Sequence, residues 1–381
     1  MGSIVLVYQR SQPWRPGMVL HCGAYPVTSV SFSADSSTLL TAANDGATRL
    51  WNLDTGEQLS TTDHKMMLQA AALAPSGKTY VTAGDDGKVM IHGPDLEQEL
   101  FDFGAGAKIA SLHFSNDGTR LVACAPHWLS NYGHIAVISV QNRNSANIYI
   151  VSDADCETYP IENSNRIVAT TADGLVNVFQ DGIVRPIAAM RGDSSFFRSA
   201  VFSPDGMFIA TVGTDCTARL WTASSSDGAR SILEVDAVAK PGTENRHTWT
   251  AKPLAILRGH KQYVLSSQFS PEGDRLATVS LDGSVRIWGG RDGAPLAVLS
   301  DKGPSRSVVF SPDGKRLASA GIDGTVQLWD RRCSERWYGK VMLPEFWLML
   351  LLLPALLWSI RRDTRSLRNP GVPPGVTFPQ Q

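Results

Sequence analysis

The chain has 381 residues, 35 of them Lys or Arg and 36 Asp or Glu, for a formal net charge of −1. Charged residues make up 19% and apolar residues 43%, the balance of a globular protein rather than of a disordered or fibrous one. So neutral a chain lacks the basic field on which nucleic-acid binding rests, and no nucleic-acid partner is expected.

At the N-terminus, Ile4 to Tyr8 is the one apolar run. It is too short for the apolar core of a secretion signal, and no small-residue cleavage site follows it. Residues 1–17 read as an extension, and the patterned part begins at Met18. From there one phrase recurs. Phe202 to Trp221 reads FSPDGMFIATVGTDCTARLW, Phe269 to Trp288 reads FSPEGDRLATVSLDGSVRIW, and Phe310 to Trp329 reads FSPDGKRLASAGIDGTVQLW. Aligned on its last residue, the unit ends at Trp51, His92, Ile138, Phe179, Trp221, Trp288 and Trp329, in steps of 41, 46, 41, 42, 67 and 41 residues.

Each unit carries its own folding instructions. In Ser-Pro-Asp-Gly, proline presets φ and glycine tolerates the end of the turn, so the phrase links two strands. Leu276 to Ser280 and Val285 to Trp288 are short apolar or β-branched runs, and the Asp-Gly between them is a hairpin signal. No unit buries enough apolar surface alone, so units must stack.

A period of about 40 to 45 residues closing near Trp-Asp resembles the WD40-repeat family over about Met18 to Asp330, strongly in the first and last three units. The regular FSPDG phrases are similar to those of bacterial members. The resemblance implies an all-β fold, a seven-bladed β-propeller with four strands per blade, over residues 18–330. Insertions fall at about 125–134 and 222–253. Because the last blade lacks its outer strand after Trp329, the N-terminal stretch around Met18 to Leu20 is expected to complete it.

The resemblance also implies that a buried hydrogen-bond network of His, hydroxyl, Asp and Trp recurs in the blades. His260, Ser280, Asp282 and Trp288 supply all four in the sixth unit. His21, Asp45 and Trp51 remain in the first, with Ala43 at the hydroxyl position. Ser, His and Asp together also make a hydrolase triad, but parts repeated across blades mark architecture, and no catalytic residue is expected. Neither a phosphate-cradling loop nor a His-Glu-x-x-His or Gly-x-Ser-x-Gly motif occurs. The five cysteines (Cys22, Cys124, Cys156, Cys216, Cys333) show no Cys-x-x-Cys spacing. Neither disulfides nor a zinc site is signalled, and the thiols are expected to be inert in a reducing compartment. No metal, cofactor or small-molecule substrate is expected.

Propeller geometry places the second-to-third strand turns and the blade-to-blade connections on one face, the top. Its expected partner-binding residues are Trp128 and Tyr132, from the segment APHWLSNYGH, with Met67, Lys108, Phe196 and Tyr263 at the channel entrance, where Pro26 and Pro304 also fall. Aromatic, Met and basic types suit a protein or peptide partner. The insertion in 222–253 is polar, Ser-rich at first, and falls on the opposite face.

After a basic linker at 331–340, Phe346 to Leu357 reads FWLMLLLLPALL, apolar on every side. Extended to 341–360 it makes about 30 Å of helix, enough to span a bilayer, although Pro344, Glu345 and Pro354 interrupt it. Interface aromatics and the following arginines fit a C-terminal membrane anchor; basic residues on both sides leave its orientation to the missing signal peptide, which puts the propeller on the cytoplasmic side. A basic, then Pro-rich and disordered tail is expected over 361–381. The chain thus reads as a non-catalytic, membrane-tethered scaffold for partner proteins. Its layout is similar to that of the early secretory pathway's exchange factor, so guanine-nucleotide exchange on a small GTPase is the alternative. A propeller enzyme is the second.

Overall fold

Short hairpins joined by Gly-containing turns dominate the chain, and they assemble into twisted antiparallel sheets. The computed structural model describes residues 14–331 apart from 65, 95, 105–106, 116, 127–131, 141–145, 153–157, 161–165, 171–174, 181–187, 192–196, 223–247, 250–252 and 302. The chain divides into two units, 1–332 and 333–381. The second, which holds the expected membrane segment and tail, lies outside the described residues.

The architecture is an all-β propeller. In a regular blade the strands follow chain order from the central channel outward, as in Val264–Phe269, Arg275–Ser280, Ser284–Gly289 and Pro295–Ser300. Six sheets have this four-stranded form, where seven were expected. The remaining sheet, built on Thr158–Pro160, Arg166–Thr170, Leu175–Gln180 and Ala188–Arg191, has a fifth strand. That strand, Thr248–Trp249, lies parallel on the outer edge, so the long insertion after Thr222 adds to a neighbouring sheet. Consecutive innermost strands touch one another, and Ser305–Phe310 returns to Val27–Phe32.

The last sheet is completed by the first strand of the chain. Trp14–His21 runs antiparallel to Thr325–Arg331, from Trp14 opposite Arg331 to His21 opposite Thr325. The closing strand therefore begins at Trp14, four residues before the expected boundary at Met18. Trp14 is held by its apolar ring, which lies 5.9 Å from that of Phe310.

The apolar core is divided among the blade interfaces. Leu20, Val27, Trp51 and Val326 fill one, Val279, Val308, Phe310 and Trp329 another. This follows from period-2 alternation in strands whose two faces both meet a neighbouring blade.

Turn chemistry repeats with the sheets. In Ser-Pro-Asp-Gly the serine hydroxyl donates to the aspartate, at 2.6 Å for both Ser203 to Asp205 and Ser311 to Asp313, and Gly206 and Gly314 sit at φ of 68° and 65°. The Asp-Gly turn works likewise, with Asp282 Oδ1 accepting from the Ser284 N–H at 2.9 Å and Gly283 at φ 75°. Among the described residues the two non-glycine positions with positive φ are Ser36 and Cys216, and both stand where sister repeats carry glycine.

Between the first and second strands, five sheets carry the same irregularity. Their register shifts across Thr28, Gln69, Arg198, Leu265 and Arg306, the second residue of each innermost strand. Such bulges re-aim a side chain.

Candidate functional site

Two constellations are built on this frame, one buried and one at the top face. The buried one is centred on Thr278. The Trp288 indole N–H donates to the Thr278 hydroxyl at 2.9 Å, and His260 Nε2 lies 2.8 Å from the same oxygen. His260 Nδ1 faces Asp282, at 3.3 Å, and the Ser284 hydroxyl, at 3.0 Å. A neutral imidazole has one N–H. Placing it on Nδ1 serves the carboxylate and leaves Nε2 to accept from Thr278, an assignment made from the network.

Burial pushes His260 down to about 4, and the Asp282 charge raises it only in part. Burial pushes the Asp282 carboxyl up, but hydrogen bonds from Ser284 and the Lys261 N–H overcome this and hold it at about 2. His92 is likewise driven to about 4 by burial, with His64 adding to the effect. For a histidine with a depressed folded value, the contribution to stability is complete above the unfolded value and is lost as pH falls. The protein should therefore weaken between about pH 6.5 and pH 4. Replacing His260 or His92 by Asn should reduce that slope by up to about 1.4 kcal/mol per pH unit each, measured by urea unfolding across that range.

Ser280 does not occupy the expected place. Its hydroxyl donates to the Gln262 carbonyl at 3.0 Å and accepts from the Asp282 N–H at 3.1 Å, so it ties the turn and does not meet His260. Ser280 and the fully buried His260 side chain therefore do not form a nucleophile-base pair. In the first unit His21 is exposed. The neighbouring Cys22 points inward instead, 1% exposed, with its thiol 3.6 Å from the Thr41 hydroxyl that also receives the Trp51 indole at 3.0 Å. Asp45 pairs with Arg49 at 2.6 Å rather than with a histidine.

The same anchor recurs with one spacing. Trp51 donates to Thr41, Trp221 to Thr211, Trp288 to Thr278 and Trp329 to Ser319, and His92 meets Thr82, each ten residues apart. Antiparallel register explains it: Thr278 stands opposite Arg286, and Trp288, two residues on, returns to the same face. The hydroxyl ten residues before each closing aromatic was the available signal.

Cys124 corrects a second expectation. It is disulfide-bonded, whereas Cys22 and Cys216 are free.

At the top face, blade connections and hairpin turns are joined by backbone hydrogen bonds. The carbonyls of Pro26, Tyr263 and Pro304 accept from the N–H groups of Asn44, Leu281 and Ile322 at 2.9 to 3.1 Å. Their side chains are then free to face outward. Tyr25, Met67 and Tyr263 are 57%, 51% and 48% exposed, and Met66 joins them. Lys108 Nζ is 3.3 Å from Asp85. Trp128 and Phe196 lie outside the described residues. Tyr132 opens the strand Tyr132–Ser139, without a described side chain.

Below this face a cavity of about 580 Å³ runs between the innermost strands. Small and hydroxyl-bearing residues such as Ser29, Ala70 and Ser266 line it with Phe32 and Phe269. Among the described residues no Asp or Glu lines it, and Arg306 is the one Lys or Arg that does. Among the described residues no group of His, Cys, Asp and Glu is arranged to hold a metal ion. Nor is any described helix long and apolar enough to cross a membrane.

Repeated four-stranded blades, an indole-hydroxyl anchor and Asp-capped turns define a WD40-repeat propeller. The WD40 family, described as WD domain, G-beta repeat, matches residues 15–52, 184–222, 251–289 and 293–330, and the chain carries its repeats. Relatives are distant. "Transcriptional corepressor LEUNIG_HOMOLOG" of Arabidopsis thaliana is 22% identical over 70% of this chain and 35% of its own length. "Eukaryotic translation initiation factor 3 subunit I" of Kluyveromyces lactis is 23% identical over 55% of this chain and 61% of its own. "Periodic tryptophan protein 2" of Saccharomyces cerevisiae is 35% identical over 55% and 22%. The chain thus spans less than two-thirds of each relative, and all three are eukaryotic where the FSPDG phrases pointed to bacterial members.

Proposed function

We propose that this protein is a non-catalytic, membrane-tethered scaffold whose seven-bladed propeller captures a partner protein through its top face. The observation that carries the reading is that large side chains, Tyr25, Met66, Met67 and Tyr263, stand exposed on the blade connections, where the Pro26, Tyr263 and Pro304 carbonyls tie the backbone to the hairpin turns. Large side chains on a preorganised support bind with little ordering cost. The relatives' names span transcription and translation, which supports a shared platform rather than a shared reaction. The tether rests on the apolar run at 341–360.

The test is affinity capture from solubilised membranes with identification by mass spectrometry. Met67→Ala with Tyr263→Ala should lose the main partner at least tenfold, as expected when two hot-spot side chains are truncated, with an unchanged melting temperature. Deletion of 224–246 should leave capture intact; the opposite pattern would move binding away from the top face. In the same membranes the full chain should resist alkaline carbonate extraction. Its release would remove the tether and leave the capture reading standing.

A further inference from the structure

The geometry points to an anionic side chain as what the channel mouth recognises: the partner presents an Asp or Glu of an acidic peptide to Arg306 and Arg198. This rests on the top-face reading and names the chemistry of its partner.

Both arginines are the bulged second residue of their innermost strands, Ser305–Phe310 and Phe197–Phe202. A bulge re-aims the side chain it carries, and at Arg306 that side chain lines the channel. Thr28, Gln69 and Leu265 hold the same place in three other blades, so the five described bulge positions carry two cations and no acid. Both arginines are exposed. Arg306 lines the cavity and reaches from the last blade to the second, where its Nη2 donates to Gln69 Oε1 at 3.4 Å. Gln69 in turn donates to Asp85 at 3.3 Å, and Asp85 holds Lys108. The one carboxylate in this chain of contacts is thereby already paired with a lysine. Neither arginine pairs with a carboxylate among the described residues, although sister positions deeper in the blades show how readily this fold supplies one, as in Asp45–Arg49 and Asp215–Arg219.

No Asp or Glu among the described residues lines the channel, so its low-dielectric wall focuses the guanidinium field at the opening. A guanidinium fork takes a carboxylate with two parallel hydrogen bonds, displacing only the weak amide contact from Gln69. Around it, Tyr25, Met67 and Tyr263 offer apolar surface to residues flanking the acid. The mouth therefore fits an acidic residue set among aromatic or aliphatic ones.

The test pans a display library of random dodecapeptides on the full-length protein, then measures a selected peptide by fluorescence anisotropy. Selected peptides should be enriched in Asp and Glu. Changing the acid of the chosen peptide to its amide should weaken it at least tenfold, and Arg306→Gln with Arg198→Gln should do the same without shifting the melting temperature. Arg306→Glu with Arg198→Glu should turn the selection toward basic peptides. Neutral or basic peptides that bind the parent and depend on Met67 and Tyr263 would overturn the acidic partner but keep the top face. Peptides indifferent to all four positions, or none selected, would overturn both. Equal affinity for a single-stranded oligodeoxynucleotide of the same charge would also overturn the peptide assignment.

Discussion

Trp14→Ala is expected to lower stability by about 3 to 5 kcal/mol, as loss of a buried large aromatic does. Trp14 is 8% exposed and packs with Phe310, Val308 and Trp329, so truncation leaves a void at the interface between the last two blades. It also sits where the closing strand meets Arg331, and Leu20, 2% exposed, secures the other end against Val27 and Val326. Deleting residues 1–20 should do more. It bares the edge of Thr325–Arg331 and removes the strand's share of two interfaces, and the damage should reach the whole ring because each blade is stable only against its neighbours. Urea unfolding followed by tryptophan fluorescence reads both. A truncated protein that unfolds at the parent's midpoint would show that the closing strand contributes nothing.

Thr278→Val should cost about 2 to 4 kcal/mol despite preserving shape, because two buried groups lose their partner at once. The Trp288 N–H would have no acceptor and His260 Nε2 no donor. Ser280→Ala, two residues away, should cost about 1 kcal/mol or less, since the Asp282 carboxylate still receives the Ser284 and Lys261 N–H groups. Comparing the two by chemical denaturation separates the strand hydroxyl from the turn hydroxyl. Equal losses would mean that the anchor is not centred where the distances put it.

That pair of residues shows where sequence reading worked and where it slipped. The repeat period, hairpin turns and closure by the N-terminal stretch were legible because Gly, Pro, Asp and Trp carry backbone requirements that few other residues meet. Ser280 was misplaced because a strand alternates its faces, and a serine next to the Asp turn is as plausible a partner as the threonine before it. His21 failed in a similar way: it is exposed at the end of its strand, while the thiol of the next residue, Cys22, is what meets Thr41, and a thiol does not announce itself as a substitute for imidazole. The bulge arginines were invisible, since a register shift depends on the pairing of two strands rather than on either alone. The fifth strand of one sheet was hidden for a related reason, as it belongs by sequence to the insertion of the next unit.

The carbonyl contacts of Pro26, Tyr263 and Pro304 carry a consequence for how such a surface changes over time. Each of these residues serves the fold through its main-chain oxygen, which every amino acid possesses, while its side chain faces outward. Proline and tyrosine already stand at equivalent places, with methionine and lysine at the neighbouring entrances. Substitution there can remake the partner without touching the structure that presents it. A lineage can therefore exchange one ligand for another through single replacements, each passing through a folded protein.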